Sequence, residues 1–290
     1  MQKPIHAFML ILLAVPVVSA QFSLRIKSGI NHISPKEYND AITGRNAYLT
    51  EKVVVPPMQG SLSPFRFGWN VDGEVVWNFM QDFSLGLSAG YTRFATDDRL
   101  IYQYPTTSPT YLFGGTYNYK TSVAVVPVAL KFHYSRSLTK SMILTAGLGP
   151  ALNLCSFDYA SDFTGGYMGA SDWDLTQTLA AHKSVFGFEG EIGLEIPLAK
   201  KIFAEINLSG RFAKLSEFNG DYSEIGTDGS DSWNQKSGEG YLFFYDYERD
   251  GKVYRQYGYT DSPNATYRNF QKGMINLSGM SISTGIRVAL

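Results

Sequence analysis

Eight segments of this chain alternate, with a period of two, between large apolar residues and small, polar or charged ones. That pattern marks β-strands with unlike faces. "FRFGWNVDGEVVW", residues 65–77, is the clearest. Phe65, Phe67, Trp69, Val71, Val75 and Trp77 share one face, and Arg66, Gly68, Asn70, Asp72 and Glu74 the other. The same alternation runs through residues 22–27, 83–91, 126–134, 142–153, 186–196, 202–212 and 281–290. A period of two does not say which face looks at what. A soluble barrel turns its aromatic face inward, and a membrane barrel turns it outward.

The first residues, "MQKPIHAFMLILLAVPVVSA", carry Lys3, an apolar run over 7–18 and the small-residue site Val18-Ser19-Ala20. This reads as a secretory signal peptide over residues 1–20, leaving one β domain over residues 21–290. No later apolar run approaches the ~20 residues of a spanning helix. With 25 Lys and Arg against 26 Asp and Glu, nothing points to a nucleic-acid partner. Cys155 is the only cysteine, so no internal disulfide is possible. It is expected as a small wall residue, not a reactive thiol.

The connections narrow the choice. "NFMQD", "SRSLTK" and "PLAKK" are short and suit hairpin ends, whereas the connections over 31–64, 95–122, 156–184 and 213–273 are long. Short and long alternate strictly. Tight turns at one end and long loops at the other is the plan of outer-membrane barrels. The polar faces are built mainly of Gly, Ser, Ala and Thr, which suit a narrow interior. The apolar faces carry Trp69, Trp77, Phe83, Tyr91, Phe132, Tyr134, Phe186 and Phe188, several near strand ends. The expected fold is all-β: an eight-stranded antiparallel up-and-down transmembrane barrel with short periplasmic turns and long extracellular loops.

"VVPVALKFHY", "ILTAGLGPALNL", "FGFEGEIGLEI" and "FAEINLSGRF" resemble the strands of small eight-stranded outer-membrane barrels, the group of the OmpA barrel, OmpX and OmpW, and the porin-family or outer membrane beta-barrel domain proteins. The resemblance covers nearly the whole mature chain and rests on residue type, not on catalytic motifs. Such proteins typically end in an aromatic residue read by the assembly machinery, and here Leu290 stands last. The resemblance implies residence in the bacterial outer membrane, with outer-membrane lipid, lipopolysaccharide and the assembly machinery as partners, and the strand pattern leaves no room for a periplasmic domain. A monomer is expected.

By parity, Arg25, Lys27, Arg66, Lys131, Arg211 and Arg287 point into the lumen, as do Asp72, Glu74, Glu189, Glu191, Glu195 and Glu205. A balanced set in so narrow a barrel reads as a cross-barrel ion-pair network, with His133 packed into it. The histidines offer no metal-ligand spacing, and neither metal nor cofactor is expected. His32 and His182 fall near the outer rim, with Ser34, Asp172 and Ser184 close in sequence, but match no catalytic motif. In the first long loop, Ser34, Pro35 and Glu37 fit a capping box with proline at the first helical position, predicting a short helix over the mouth. "SDWDLTQTLAAH" predicts a second helix in the third loop. In the fourth, Asp250-Gly251 between tyrosine-rich runs predicts a projecting hairpin. Its Tyr241, Tyr245, Tyr247, Tyr254, Tyr257 and Tyr259 form the expected external binding surface.

These features point to a non-enzymatic surface protein whose barrel is an anchor. Its loops bind an extracellular ligand or stabilise the envelope. The alternatives are passive transport of ions or small apolar solutes and, third, lipid A modification through His32 or His182.

Overall fold

The computed structural model describes residues 21–51, 58–103, 113–167, 172–228, 231–260 and 268–290. Residues 1–20, read as a signal peptide, lie outside them. The chain runs through β1 (Gln21–Ile33), α1 (Lys36–Thr50), β2 (Phe67–Asn78), β3 (Phe83–Gln103), β4 (Phe113–Thr139), β5 (Met142–Tyr167), β6 (Asp172–Ala199) and β7 (Ile202–Phe212). It continues through β8 (Lys214–Ser216), β9 (Asn219–Asp228), β10 (Asp231–Arg249), β11 (Lys252–Thr260), β12 (Arg268–Lys272), β13 (Met274–Asn276) and β14 (Gly279–Ala289).

Strands β1 to β7 pair in sequence order, except that α1 separates β1 from β2, and β14 bridges β7 to β1. Every pair is antiparallel, so eight strands close into a hydrogen-bonded ring. The three short connections at one end are tight turns, as their sequences predict. Around the ring the alternating apolar residues point outward: Ile26 is 66% exposed, Phe186 79% and Ile282 65%. The opposite faces look inward, with Ser23, Asn70, Ser88, Thr145, Asn207 and Ser283 all buried. This inverts the usual inside-outside rule.

The ring is only half of the molecule. Strands β3 to β6 run far past it, and the described residues of the two regions read as long loops over 95–122 and 156–184 are paired strand. The β3–β4 ladder reaches Gln103↔Gly114 and the β5–β6 ladder Gly166↔Asp172. The helix predicted at "SDWDLTQTLAAH" is therefore strand β6, held by β5 on one side and β9 on the other. Tertiary pairing overrides local propensity here. β9, β10 and β11 extend this sheet into a cup above the ring, and β12 pairs with β10. Asp250 and Gly251 turn the β10–β11 hairpin with φ of 51° and 74°, as the sequence predicts.

The cup is filled by apolar side chains. α1 lies inside it and contributes Tyr38, Ala41, Ile42 and Leu49 to a core with Phe94, Leu100, Phe157, Leu179, Phe218 and Leu242. The predicted helix is present, but Pro35 occupies the N-cap, and no side chain caps it. Ser34 and Glu37 thus do not form the expected box. Asn39 and Asn46 instead clamp the returning segment, each bonding the main chain of Phe65 or Leu62 through both amide atoms. Phe65 is buried in this core, so the outward face of β2 begins at Phe67.

Gly44 sets how closely α1 approaches β11. A Cβ there would stand 2.2 Å from the carbonyl oxygen of Arg255. We expect Gly44→Val to push the helix off the strand and destabilise the fold by about 1–3 kcal/mol, the usual range for overpacking. Denaturant unfolding of the refolded protein checks this, and an unchanged midpoint would mean that the helix is not seated on β11.

Candidate functional site

Inside the ring, long charged side chains meet where β1, β2, β4, β6, β7 and β14 face one another. Arg25 is the junction. Its Nη2 lies 2.8 Å from Glu195 Oε1, its Nε 3.1 Å from Glu205 Oε1 and its Nη1 3.4 Å from Glu74 Oε2. Arg287 closes on the same Glu195 at 2.6 Å. One row further along, Lys27 Nζ and Lys131 Nζ share Glu191 Oε2 at 2.7 and 3.1 Å. Lys131 also reaches Glu189 at 3.5 Å, and Arg211 Nε bonds Glu189 at 2.9 Å.

His133 is fully buried, with Nε2 2.7 Å from Glu74 Oε1. Space for it comes from glycine. A Cβ at Gly86 would lie 2.7 Å from His133 Nε2, and one at Gly147 2.4 Å from Nδ1. Small inward residues therefore leave room for long ones from facing walls. Asp72 accepts a 2.7 Å bond from Asn70 and lines a small cavity with Lys27 and Lys131.

Of the lumen set read from parity, Arg25, Lys27, Asp72, Glu74, Lys131, His133, Glu189, Glu191, Glu195, Glu205, Arg211 and Arg287 occupy the interior. Arg66 does not. It precedes β2, is exposed, and contributes its carbonyl to Ile33 N at 3.0 Å. Five cations plus His133 thus face six carboxylates. Glu74, His133 and Glu191 bring ligand atoms within 4.8 Å of one another. Arg25, Lys27 and Lys131 already engage both carboxylates, and their charges oppose a bound cation.

The interior opens one way. At the tight-turn end a mouth of about 640 Å³ leads to Arg25, Glu195 and Arg287. At the other end the cavity beside Lys27 and Asp72 meets Ile33, Phe94 and Leu277, all buried apolar residues. Behind these lies the packed cup core. Neither alternation nor charge counting located this apolar seal, although the phenylalanine at 94 breaks the run of small inward residues on β3.

The tyrosines of the β10–β11 hairpin do not form an exposed patch. Tyr254 and Tyr257 are buried, Tyr241, Tyr245 and Tyr259 are half-buried, and Tyr247 alone of the six is exposed. Tyr257 stacks on Tyr38, Tyr259 stacks on Tyr159, and the Arg45 guanidinium lies 4.9 Å from the Tyr257 ring centre. α1 consumes the surface that the hairpin would present alone. Burial holds the Tyr159, Tyr257 and Tyr259 phenols well above their ordinary range, so they stay neutral. At the exposed end of α1, bonds from Tyr254 and Lys252 hold the Glu51 carboxyl below its usual range.

His32 and His182 are both exposed, on β1 and β6, which are not neighbours in the ring. Ser34 and Ser184 are exposed beside them, and Asp172 begins β6. Cys155 is a free buried thiol in the cup core.

No protein-family model matches this chain, and no curated protein does. Among solved structures, it is similar to a major outer membrane protein from Thermus thermophilus, with 11% identity and a TM-score of 0.39. That match covers 94% of this chain and 100% of the other. It is also similar to the outer membrane protease OmpT from Escherichia coli, with 10% identity, a TM-score of 0.25 and coverage of 93% and 96%. Scores this low leave function to be argued from the chain's own residues.

Removing Arg25 leaves the buried Glu74, Glu195 and Glu205 short of a partner. We expect Arg25→Met to cost about 3–5 kcal/mol, as for other broken buried pairs. The denaturation midpoint of the refolded protein measures it. A change within experimental error would mean that the carboxylates are not held as charges.

Proposed function

We propose that this protein is a bacterial outer-membrane barrel, inserted after loss of its leader, that anchors a rigid cap at the cell surface. The observation that carries this reading is the polarity of the ring: apolar residues outward, paired charges inward. In water, an unbroken outward band from Phe22 round to Ile282 would aggregate. In lipid it is required, and a closed ring leaves no unpaired strand edge there.

The dimensions agree. Phe67 to Trp77 spans about 33 Å along β2, hence about 25 Å of membrane height at a typical barrel tilt, close to an outer-membrane apolar band. Aromatic residues mark both limits. Trp69 packs on Tyr91 at 5.3 Å near the cap, while Phe79, Phe83, Phe132 and Tyr134 cluster near the tight turns. The turns then face the periplasm and the cup faces outside.

The seal at Ile33, Phe94 and Leu277, backed by the filled cup, supports an anchor over a pore. The separation of His32 from His182 favours a non-enzymatic role over lipid A modification. The cap acts through shape: a helix-filled sheet offering a polar outer face to an extracellular ligand, or bracing the envelope. The reading needs no cofactor and no second copy of the chain.

Variants retaining Trp69 or Trp77 as the sole tryptophan, refolded into vesicles of brominated phosphatidylcholine, test the placement. Both indoles should be quenched strongly, and more by bromines near the headgroups than by those at the bilayer centre. Emission as strong as in unbrominated vesicles would place the aromatic face away from lipid and overturn the reading.

A further inference from the structure

The outer face of β3 to β6 changes character just above the Trp69–Tyr91 pair. The strand registers align Trp69, Arg93, Ala124, Ser156 and His182 in one row across five strands. Arg93 and His182 stand as walls, and Ala124 and Ser156 make a low floor between them. Three strand spacings of ~4.8 Å separate the walls by about 14 Å. The row nearer the ring is apolar on β4 and β5, where Val126 faces Leu154, and ends at Ser184 on β6. Lys183, next on β6 but in register with Cys155 on the opposite face, lines the resulting hollow from the strand edge between the β9 and β7 pairings, and the hollow has a volume of about 500 Å³.

Its cations differ from those of the lumen. Every lumen cation has a carboxylate partner, whereas Arg93 and Lys183 are exposed and have none among the described residues. Among the described residues, Asp158, one row further from the ring, is the one acidic residue lining the hollow. The balance still favours an anion. An apolar lower edge, a small-residue floor and a cation at either side together match an amphiphile whose charged group sits at the membrane surface.

We infer that this hollow seats the phosphorylated headgroup of an outer-leaflet lipid. The guanidinium of Arg93 pairs with phosphate oxygens in its planar fork, and the Lys183 ammonium meets the headgroup from the β6 strand edge. The acyl chains lie down over Leu154, Val126 and Phe186. A free phosphate gains only the polar contacts, while a lipid also adds its chains, so the anchored headgroup is the occupant. The site deepens the membrane reading and rests on it.

Native mass spectrometry of the full chain in detergent tests this, with diphosphoryl lipid A, the same lipid stripped of phosphate, and inorganic phosphate as probes. The wild-type protein should retain the diphosphoryl lipid. The double variant Arg93→Ala/Lys183→Ala should retain it about tenfold less, two charge-assisted contacts being lost. Lys200→Ala, at the opposite end of the ring, should retain it as the wild type does. Equal retention by the double variant, or of the stripped lipid, would overturn the headgroup site. Displacement of the lipid by inorganic phosphate would make it a plain anion site and overturn the choice of occupant. Wild-type protein that does not insert into vesicles would instead overturn the membrane reading, which separates the two failures.

Discussion

Closing eight strands into a ring leaves an interior about as wide as the side chains that fill it. Long charged side chains buried there need partners from the facing walls. Arg25 meets that demand for three carboxylates from two directions, Glu74 beside it on β2 and Glu195 and Glu205 from across the ring. Lys27 and Lys131 do the same for Glu191 from β1 and β4. Such pairs do not make a fold more stable than apolar packing would. They fix which walls face each other. Slipping any one strand by a residue would turn its charges outward and leave the partners buried alone.

One plane divides the molecule. Below it, polar residues fill the interior and apolar residues coat the outside. Above it, the same strands bury Phe94, Val123, Phe157 and Leu179 and expose Arg93, Lys120, Asp158 and Ala180. The strands do not break at this plane; only the environment on each face changes. In the proposed orientation the plane is the outer surface of the bilayer. The apolar seal and the headgroup hollow then lie at the same height, one inside the ring and one outside it. A single level in the sequence serves both.

That inversion also explains what the sequence could and could not reveal. Alternation located the eight ring strands and nearly all the interior charges, because parity is a property of the backbone and survives any environment. It misplaced Arg66, since alternation runs on past the point where the chain leaves the sheet. Reading apolar as outward ends β3 near Tyr91 and β5 near Leu154, where the polarity of each face reverses but the strand does not stop. The paired strands beyond therefore look like loops, and "SDWDLTQTLAAH" like a helix. The tyrosines of β11 look available because nothing local announces that α1, some two hundred residues earlier, packs against them. Long-range occupancy of this kind has no signature in a single chain.

The account stands on the interior being closed: cations paired along its length and an apolar seal between the lumen and the outside. Single-channel recording of the refolded protein in planar lipid bilayers over a range of salt tests this most directly. With insertion confirmed separately, the membrane should stay electrically silent. Discrete, reproducible conductance steps would contradict the sealed ring and make the charge network the wall of a path.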